Sequence, residues 1–209
     1  ELRTPLSLIL GPISSLQARA KPSSKAHRSL SVAVESAQRL NELIGQLFDL
    51  SRVEAGGVQL RVRRLDLVGW LRHLLLRFEP AAEAAGIDLL ADLPEAAVPT
   101  WFDPDLMDKV LSNLLRNALR FSPRDSTVVV GLQQAEDGVQ VNVEDQGPGV
   151  PPALREQVFE RFFQLHGAHD RTHEGAGIGL SLVRELVELH GGGVGVEPGA
   201  VGARFWVEL

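Results

Sequence analysis

The chain is 209 residues long, which at roughly 150 residues per domain allows one large domain or two small ones. Hydrophobic residues at 44% and charged residues at 23% make an ordinary globular composition, neither disordered nor low in complexity. Its 21 Lys+Arg against 27 Asp+Glu leave a formal charge of −6, which argues against a dedicated nucleic-acid binder, and the lack of cysteine excludes disulfides, thiolate metal sites and cysteine nucleophiles.

The apolar runs fall short of the ~20 residues that span a bilayer, so no membrane contact is expected within these residues. The chain opens on Glu1 without Met or a basic, apolar leader, and so reads as a piece of something longer with no signal peptide. Residues 1–58 carry seven basic and five acidic side chains, a net of +2, whereas the remainder carries 14 and 22, a net of −8. Two regions therefore meet near Gly56-Gly57, dividing the chain into 1–57 and 58–209.

The first region predicts two helices. Leu2, Leu6, Ile9, Ile13, Leu16 and Ala20 step at heptad spacing, and after a break at Lys21-Pro22-Ser23-Ser24 so do Leu30, Ala33, Ala37, Leu40, Ile44, Leu47 and Ser51. A hairpin of two such helices cannot enclose its own apolar stripes. Pairing two hairpins into a four-helix bundle buries them most simply, and packing against the rest of the same chain is the alternative.

From about 60 onward strands and helices alternate. The pattern predicts a strand over 58–63, a helix over 66–84, a strand over 87–91 and an amphipathic helix over 103–121 starting at an Asp-Pro cap. A hairpin of strands 127–134 and 139–145 follows, turning at Asp137-Gly138. Then come a short helix near 152–163, a polar Gly/His stretch to about 174, a helix over 177–190, and strands at 194–196 and 204–209. The fold class is α+β: a helical hairpin, then a two-layer α/β sandwich with a mixed sheet.

Three segments could carry chemistry. Asn113 and Asn117 lie one turn apart on a single helix face, where amide oxygens suit a hard cation such as Mg²⁺. Asp145-Gln-Gly-Pro-Gly149 puts a carboxylate at a strand end beside glycines, which lets backbone approach a flat ligand while the acid accepts an amine. Gly175-Ala-Gly-Ile-Gly-Leu180 opens a helix with unhindered N–H groups, an anion cradle without the spacing of a Rossmann or Walker loop. Each alone also fits a plainer role: capping asparagines, an Asp-Gly turn, a flexible glycine linker. Taken together they describe a Mg-nucleotide site.

In this order the motifs resemble those of sensor histidine kinases. NLLRNALRF is similar to the N box, DQGPG to the first glycine box, VFERFF to the F box and GAGIGL to the second glycine box. HGGGVGV and GARFWVEL resemble the closing strands. ELRTPL resembles the H box less its first residue, and LSRVEAGG the exit from the second dimerisation helix.

The resemblance implies a dimerising phosphotransfer hairpin followed by an ATP-binding sandwich, working with ATP and Mg²⁺ in the cytoplasm. It implies Asn117 as the Mg²⁺ ligand, Asn113 as a supporting contact, and Asp145, with Gly147 and Gly149, as the receiver of the adenine amino group. Gly175, Gly177, Gly179 and Leu180 would face the phosphates. Arg120 and Arg161 would bring positive charge there, and Phe159 and Phe162 would anchor a lid. The phosphorylated histidine is expected just before Glu1; Glu1 matches the acid that polarises it, and Thr4 the position linked to dephosphorylating a response-regulator partner. Pro5 would bend the helix past the acceptor.

Hydrolysing relatives of the gyrase type usually place a glutamate where this chain has Asn113, an amide that is no general base near neutral pH. Transfer to a histidine is thus favoured over hydrolysis. The rivals are an ATP-hydrolysing clamp and a non-catalytic dimeric scaffold. None of the six histidines sits in an H box: His27, His73 and His190 read as helix residues. His166, His169 and His173 fit a solvated lid better than a metal face.

Overall fold

A computed structural model of the protein describes residues 3–19, 24–135, 138–165 and 177–209, with the side chains of 3–10 and of residues 35, 39, 54 and 135 outside the description. The chain divides into two compact units, Glu1–Ala55 and Gly56–Leu209.

The first unit is a hairpin of α1 (Arg3–Arg19) and α2 (Lys25–Glu54). Ser24 starts α2 by accepting the His27 N–H on its hydroxyl at 3.1 Å, an N-cap that occupies one of the helix's orphan donors. Two bonds tie the helices at this end: Gln17 Nε2 donates to Ser31 Oγ at 2.9 Å, and His27 Nδ1 meets the Gln17 carbonyl at 3.2 Å. The heptad seam stays open in the single chain. Leu16 is 56% exposed, Leu40 48% and Leu47 50%.

The second unit runs β1 (Arg63–Asp66), α3 (Leu67–Ala85), β2 (Ile87–Asp92), β3 (Pro99–Phe102), α4 (Pro104–Phe121), β4 (Ser126–Ala135), β5 (Gly138–Glu144), α5 (Gly179–Leu189), β6 (Gly193–Pro198) and β7 (Ala203–Glu208). Five strands form a mixed sheet in the order β2-β4-β5-β7-β6, with β2 and β4 parallel and the other pairs antiparallel. One face is apolar because strand side chains alternate. Register lines up Val130, Val143, Phe205 and Val196 as one buried row and Leu132, Val141 and Val207 as the next. Buried residues of three helices complete the core: Leu67, Leu71 and Leu74 of α3, Met107, Val110, Leu111 and Leu114 of α4, and Leu182, Val183 and Leu186 of α5. Full burial of each such side chain stabilises by roughly 1.5–3 kcal/mol.

The helical hairpin and the mixed-sheet sandwich match the expected fold class, with local corrections. The strand expected over 58–63 begins only at Arg63, and it pairs with β3, which the sequence pattern did not predict, in a separate antiparallel ribbon. The helix expected near 152–163 is instead two short 3₁₀ turns, Pro152–Leu154 and Gln157–Phe159. Asp137 of the expected hairpin turn lies outside the described residues.

Candidate functional site

The helix that carries the asparagine pair is fixed first at its start. Asp103 caps α4, its Oδ1 accepting the N–H groups of Asp105 at 3.0 Å and Leu106 at 3.2 Å. Pro104 fits the first turn, where an N–H would be unpartnered anyway. Asp103 Oδ2 also accepts the Arg61 N–H at 2.8 Å. The Asp103 N–H in turn donates to His190 Nε2 at 3.2 Å, while His190 Nδ1 lies 2.7 Å from the Leu186 carbonyl, so the ring proton sits on Nδ1. His190 thereby joins the beginning of α4 to the end of α5.

Further along α4, Asn113 is buried and donates from Nδ2 to the Lys109 carbonyl at 2.7 Å. Asn117 lies one turn on, half-buried. The last turn of α4 meets the DQGPG loop: a Cβ on Gly147 would come within 2.8 Å of the Phe121 carbonyl oxygen. Gln146 Oε1 accepts the Thr127 N–H at 3.0 Å and pins the loop to β4. Arg120 has its guanidinium 5.3 Å from the Phe121 ring centre.

Asp145, 5% exposed, follows the end of β5. Its Oδ1 accepts the Gly147 N–H at 2.8 Å and the Ala203 N–H at 3.3 Å. Among the described residues Oδ2 accepts no hydrogen bond. Burial pushes this carboxyl above the usual aspartate range; the two backbone donors pull it back, and the neighbouring Glu144 charge adds to the rise. Gly149 has φ +69° and packs on the Gly202 backbone. Sequence reasoning missed Gly202, where a Cβ would stand 2.5 Å from both the Asp145 carbonyl and Oδ1. Its only signal was the Gly199-Ala-Val-Gly202 spacing before the last strand.

The start of α5 is held by the F box. Gly177, at φ +67°, accepts the Phe162 N–H on its carbonyl at 2.8 Å, and a Cβ there would fall 2.6 Å from the Phe162 carbonyl carbon. Ile178 at the N-cap of α5 makes no side-chain cap, so among the described residues the first N–H groups, from Gly179 and Leu180 onward, have no capping side chain. Phe159 is buried edge-on to Phe205 at 6.3 Å with Arg184 over its face. Phe162, by contrast, is 66% exposed, so only one of the two expected anchors is a core aromatic. Arg161 forms an ion pair with Glu185 at 3.1 Å.

The structure thus brings Gly147 and Gly149 around Asp145, sets that loop on the last turn of the asparagine helix, and packs α4 along α5. Glu1, Gly175 and His166, His169 and His173, which were expected in a lid, lie outside the described residues, as does the side chain of Thr4. Among the described residues no group of three or more His, Cys, Asp or Glu could hold a metal by itself.

A buried carboxylate at a strand end, a pair of helical amides and a glycine-led helix start thus belong to an α/β sandwich that follows a helical hairpin along the chain. The chain belongs to the histidine kinase-, DNA gyrase B- and HSP90-like ATPase family, matched over residues 102–209, and carries a His Kinase A (phospho-acceptor) domain over residues 1–56. The pair in this order is that of a two-component sensor histidine kinase.

Relatives agree. Over its full length the chain is 36% identical to hybrid signal transduction histidine kinase D of Dictyostelium discoideum, of which it spans 14%, and 36% identical to sensor histidine kinase TmoS of Ectopseudomonas mendocina, of which it spans 22%. The crystal structure of full-length ShkA in complex with AMPPNP superposes with a TM-score of 0.79 at 30% identity, covering 99% of this chain and 43% of that one. The Acinetobacter baumannii histidine kinase AdeS, at 23% identity, shares the fold with a TM-score of 0.70 over 100% of this chain and 95% of its own.

Proposed function

We propose that this chain is the kinase core of a two-component sensor. It binds Mg-ATP in residues 58–209 and passes the γ-phosphoryl to a histidine expected just before Glu1, at the head of the hairpin that residues 1–57 continue; a response-regulator aspartate then collects the phosphoryl. The observation that carries this reading is Asp145, a buried carboxylate whose Oδ1 is fixed by backbone donors while Oδ2 remains to accept an exocyclic amine. The AMPPNP in the ShkA complex supports a nucleotide of this type.

The donor set fits magnesium held with the nucleotide. Asn117 offers a neutral amide oxygen, and with no cluster of ionisable ligands among the described residues the rest of the shell falls to phosphate oxygens and water. Bound there, the ion would neutralise charge on the transferring phosphoryl group. Asn113, one turn away, would add a supporting polar contact to the metal or a phosphate. Gly177, Gly179 and Leu180 would offer backbone N–H groups and the positive end of α5 to the phosphates, and the same role is proposed for Gly175. Arg120 and Arg161 add positive charge at the rim, Arg161 after parting from Glu185.

Phosphoryl transfer rests on positioning and charge stabilisation. With Asn113 where hydrolases carry glutamate, no side chain there can deprotonate water. Glu1 would accept one ring proton of the acceptor histidine so that the other nitrogen attacks, and Thr4 would orient water for the reverse traffic from the regulator. The open seam of Leu16, Leu40 and Leu47 supports a homodimeric four-helix bundle. No helix among the described residues is long and apolar enough to cross a membrane, and a cytoplasmic site with its ATP supply fits this part of the protein.

The test is incubation of the dimer, extended upstream of Glu1, with γ-labelled ATP. Acid-labile, base-stable label on the protein is the expected result. Steady phosphate release without label would favour the hydrolysing clamp, and nucleotide binding with neither would leave a scaffold.

A further inference from the structure

The sheet face turned away from the helices carries an ion-pair row with no role in the reading above. Register places Glu144, Arg204 and Glu197 on adjacent rungs of β5, β7 and β6. Arg204 grips Glu144 at two points, Nε and Nη2 both donating to Oε2 at 2.9 and 2.7 Å, and reaches Glu197 with Nη1 at 3.5 Å. The second oxygen of Glu144, Oε1, accepts the Ala200 N–H at 2.7 Å. That bond holds the turn of Gly199–Gly202, which Gly199 also closes by donating to the Gly202 carbonyl at 3.1 Å. The same turn delivers the Ala203 N–H to Asp145 Oδ1 and lays Gly202 against the Asp145 backbone.

Glu144 and Asp145 are consecutive carboxylates at one strand end, the first on the outer face and the second buried. We propose that Arg204 is a positioning residue for nucleotide recognition: through Glu144 it fixes the turn that orders the Asp145 carboxylate, and it neutralises the charge standing next to that carboxylate. The role rests on the reading of Asp145 as acceptor of the base amine.

Without the guanidinium, Glu144 loses its two-point partner, and the carboxylate that accepts the Ala200 N–H of the turn behind Asp145 is no longer fixed from the β7 side. The uncompensated Glu144 charge then acts across one residue on a buried acid, and like charge favours the protonated form. A protonated Asp145 presents a hydroxyl where an amine donor needs an acceptor. Of the charged groups around Asp145, Glu144 acts from β5, Arg204 from β7 and Glu197 from β6 beyond it; α4 presents the Phe121 carbonyl, with Arg120 lying over the Phe121 ring. The Asp145 displacement already present has burial as its main cause and the Glu144 charge as a lesser one.

The test is calorimetric affinity for Mg-ADP between pH 5 and pH 8, on the full chain. Wild type should bind with constant affinity near neutrality and lose it on an acid limb. Arg204→Met should bind roughly three- to tenfold more weakly at neutral pH and carry its acid limb higher by about half a pH unit. Adding Glu144→Gln to Arg204→Met should return the limb to the wild-type position or below while the neutral-pH weakening persists. Glu144→Gln alone, which keeps a neutral partner for Arg204, should shift the limb downward and serves if Arg204→Met does not fold. An acid limb unmoved in folded Arg204→Met, or unmoved in Glu144→Gln, overturns the role of Arg204. A wild-type profile with no acid limb, matched by unimpaired Asp145→Asn, overturns the reading of Asp145 itself and this role with it.

Discussion

The Phe162 N–H donates to the Gly177 carbonyl at 2.8 Å, and both residues adopt positive φ, +61° and +67°. The F box and the second glycine box are thus a single joint. Phe162 accepts a backbone conformation that L-residues seldom take, and Gly177 leaves room for it.

Gly177→Ala should therefore break the joint, whereas Gly191→Ala, at φ +76° with nothing within 4 Å of its Cβ, tests backbone strain alone. Strain of this kind costs roughly 1–3 kcal/mol. Thermal melts should show Gly191→Ala losing that much with nucleotide affinity intact. Gly177→Ala should lose more, together with most of its ATP affinity; equal effects at the two sites would show that the contact with Phe162 does not matter.

Asn117 is half-buried and off the core, so Asn117→Ala should shift stability by no more than about 0.5 kcal/mol. Its affinity for Mg-ATP should fall by roughly a hundredfold. ATP titrated with EDTA in place of magnesium should bind wild type and variant nearly alike, and a persisting difference there would take the metal away from this side chain.

Asp145→Asn separates binding from stability. Because burial raises the Asp145 pKa, the ionised acid opposes folding at neutral pH, and the penalty fades as pH falls through the raised value. The variant should melt higher than wild type at pH 7, by about 1.4 kcal/mol for each unit of displacement removed, and the advantage should vanish in acid. It should also bind ATP at least roughly tenfold more weakly. Glu144 behaves oppositely: the Ala200 N–H leads in holding its carboxyl low, against a burial effect that raises it, and Arg204 adds to the lowering, so its contribution is present near neutrality and lost below the ordinary glutamate range.

Leu40→Glu with Leu47→Glu places like charges on the open hairpin seam, where both leucines are about half exposed in the single chain. Sedimentation should show a monomer whose ATP-binding unit still binds nucleotide. A dimer surviving both changes would put the interface elsewhere.

Much of this was legible because local chemistry agreed with the fold. The Asp103-Pro104 cap and the 3.6-residue period marked α4, and alternation marked β4 and β5 around their turn. β3 and its pairing with the displaced β1 escaped notice because each strand is four residues long, β3 starts on Pro99, and the pairing joins distant segments. Residues 152–159 carry a helical composition but form only two three-residue turns. Gly202 could not be read as a wall of the Asp145 site, since that contact exists only once β5 and β7 are paired. The partner of Arg161 depended likewise on where α5 lies.

The one parallel pair in the five-stranded sheet, β2 with β4, has a topological consequence. Parallel neighbours need a crossover, and the segment that makes it contains α4. The asparagine helix is therefore leashed to the same sheet at both ends, and a proteolytic nick within 93–98 would release one leash while leaving every strand of that sheet uncut.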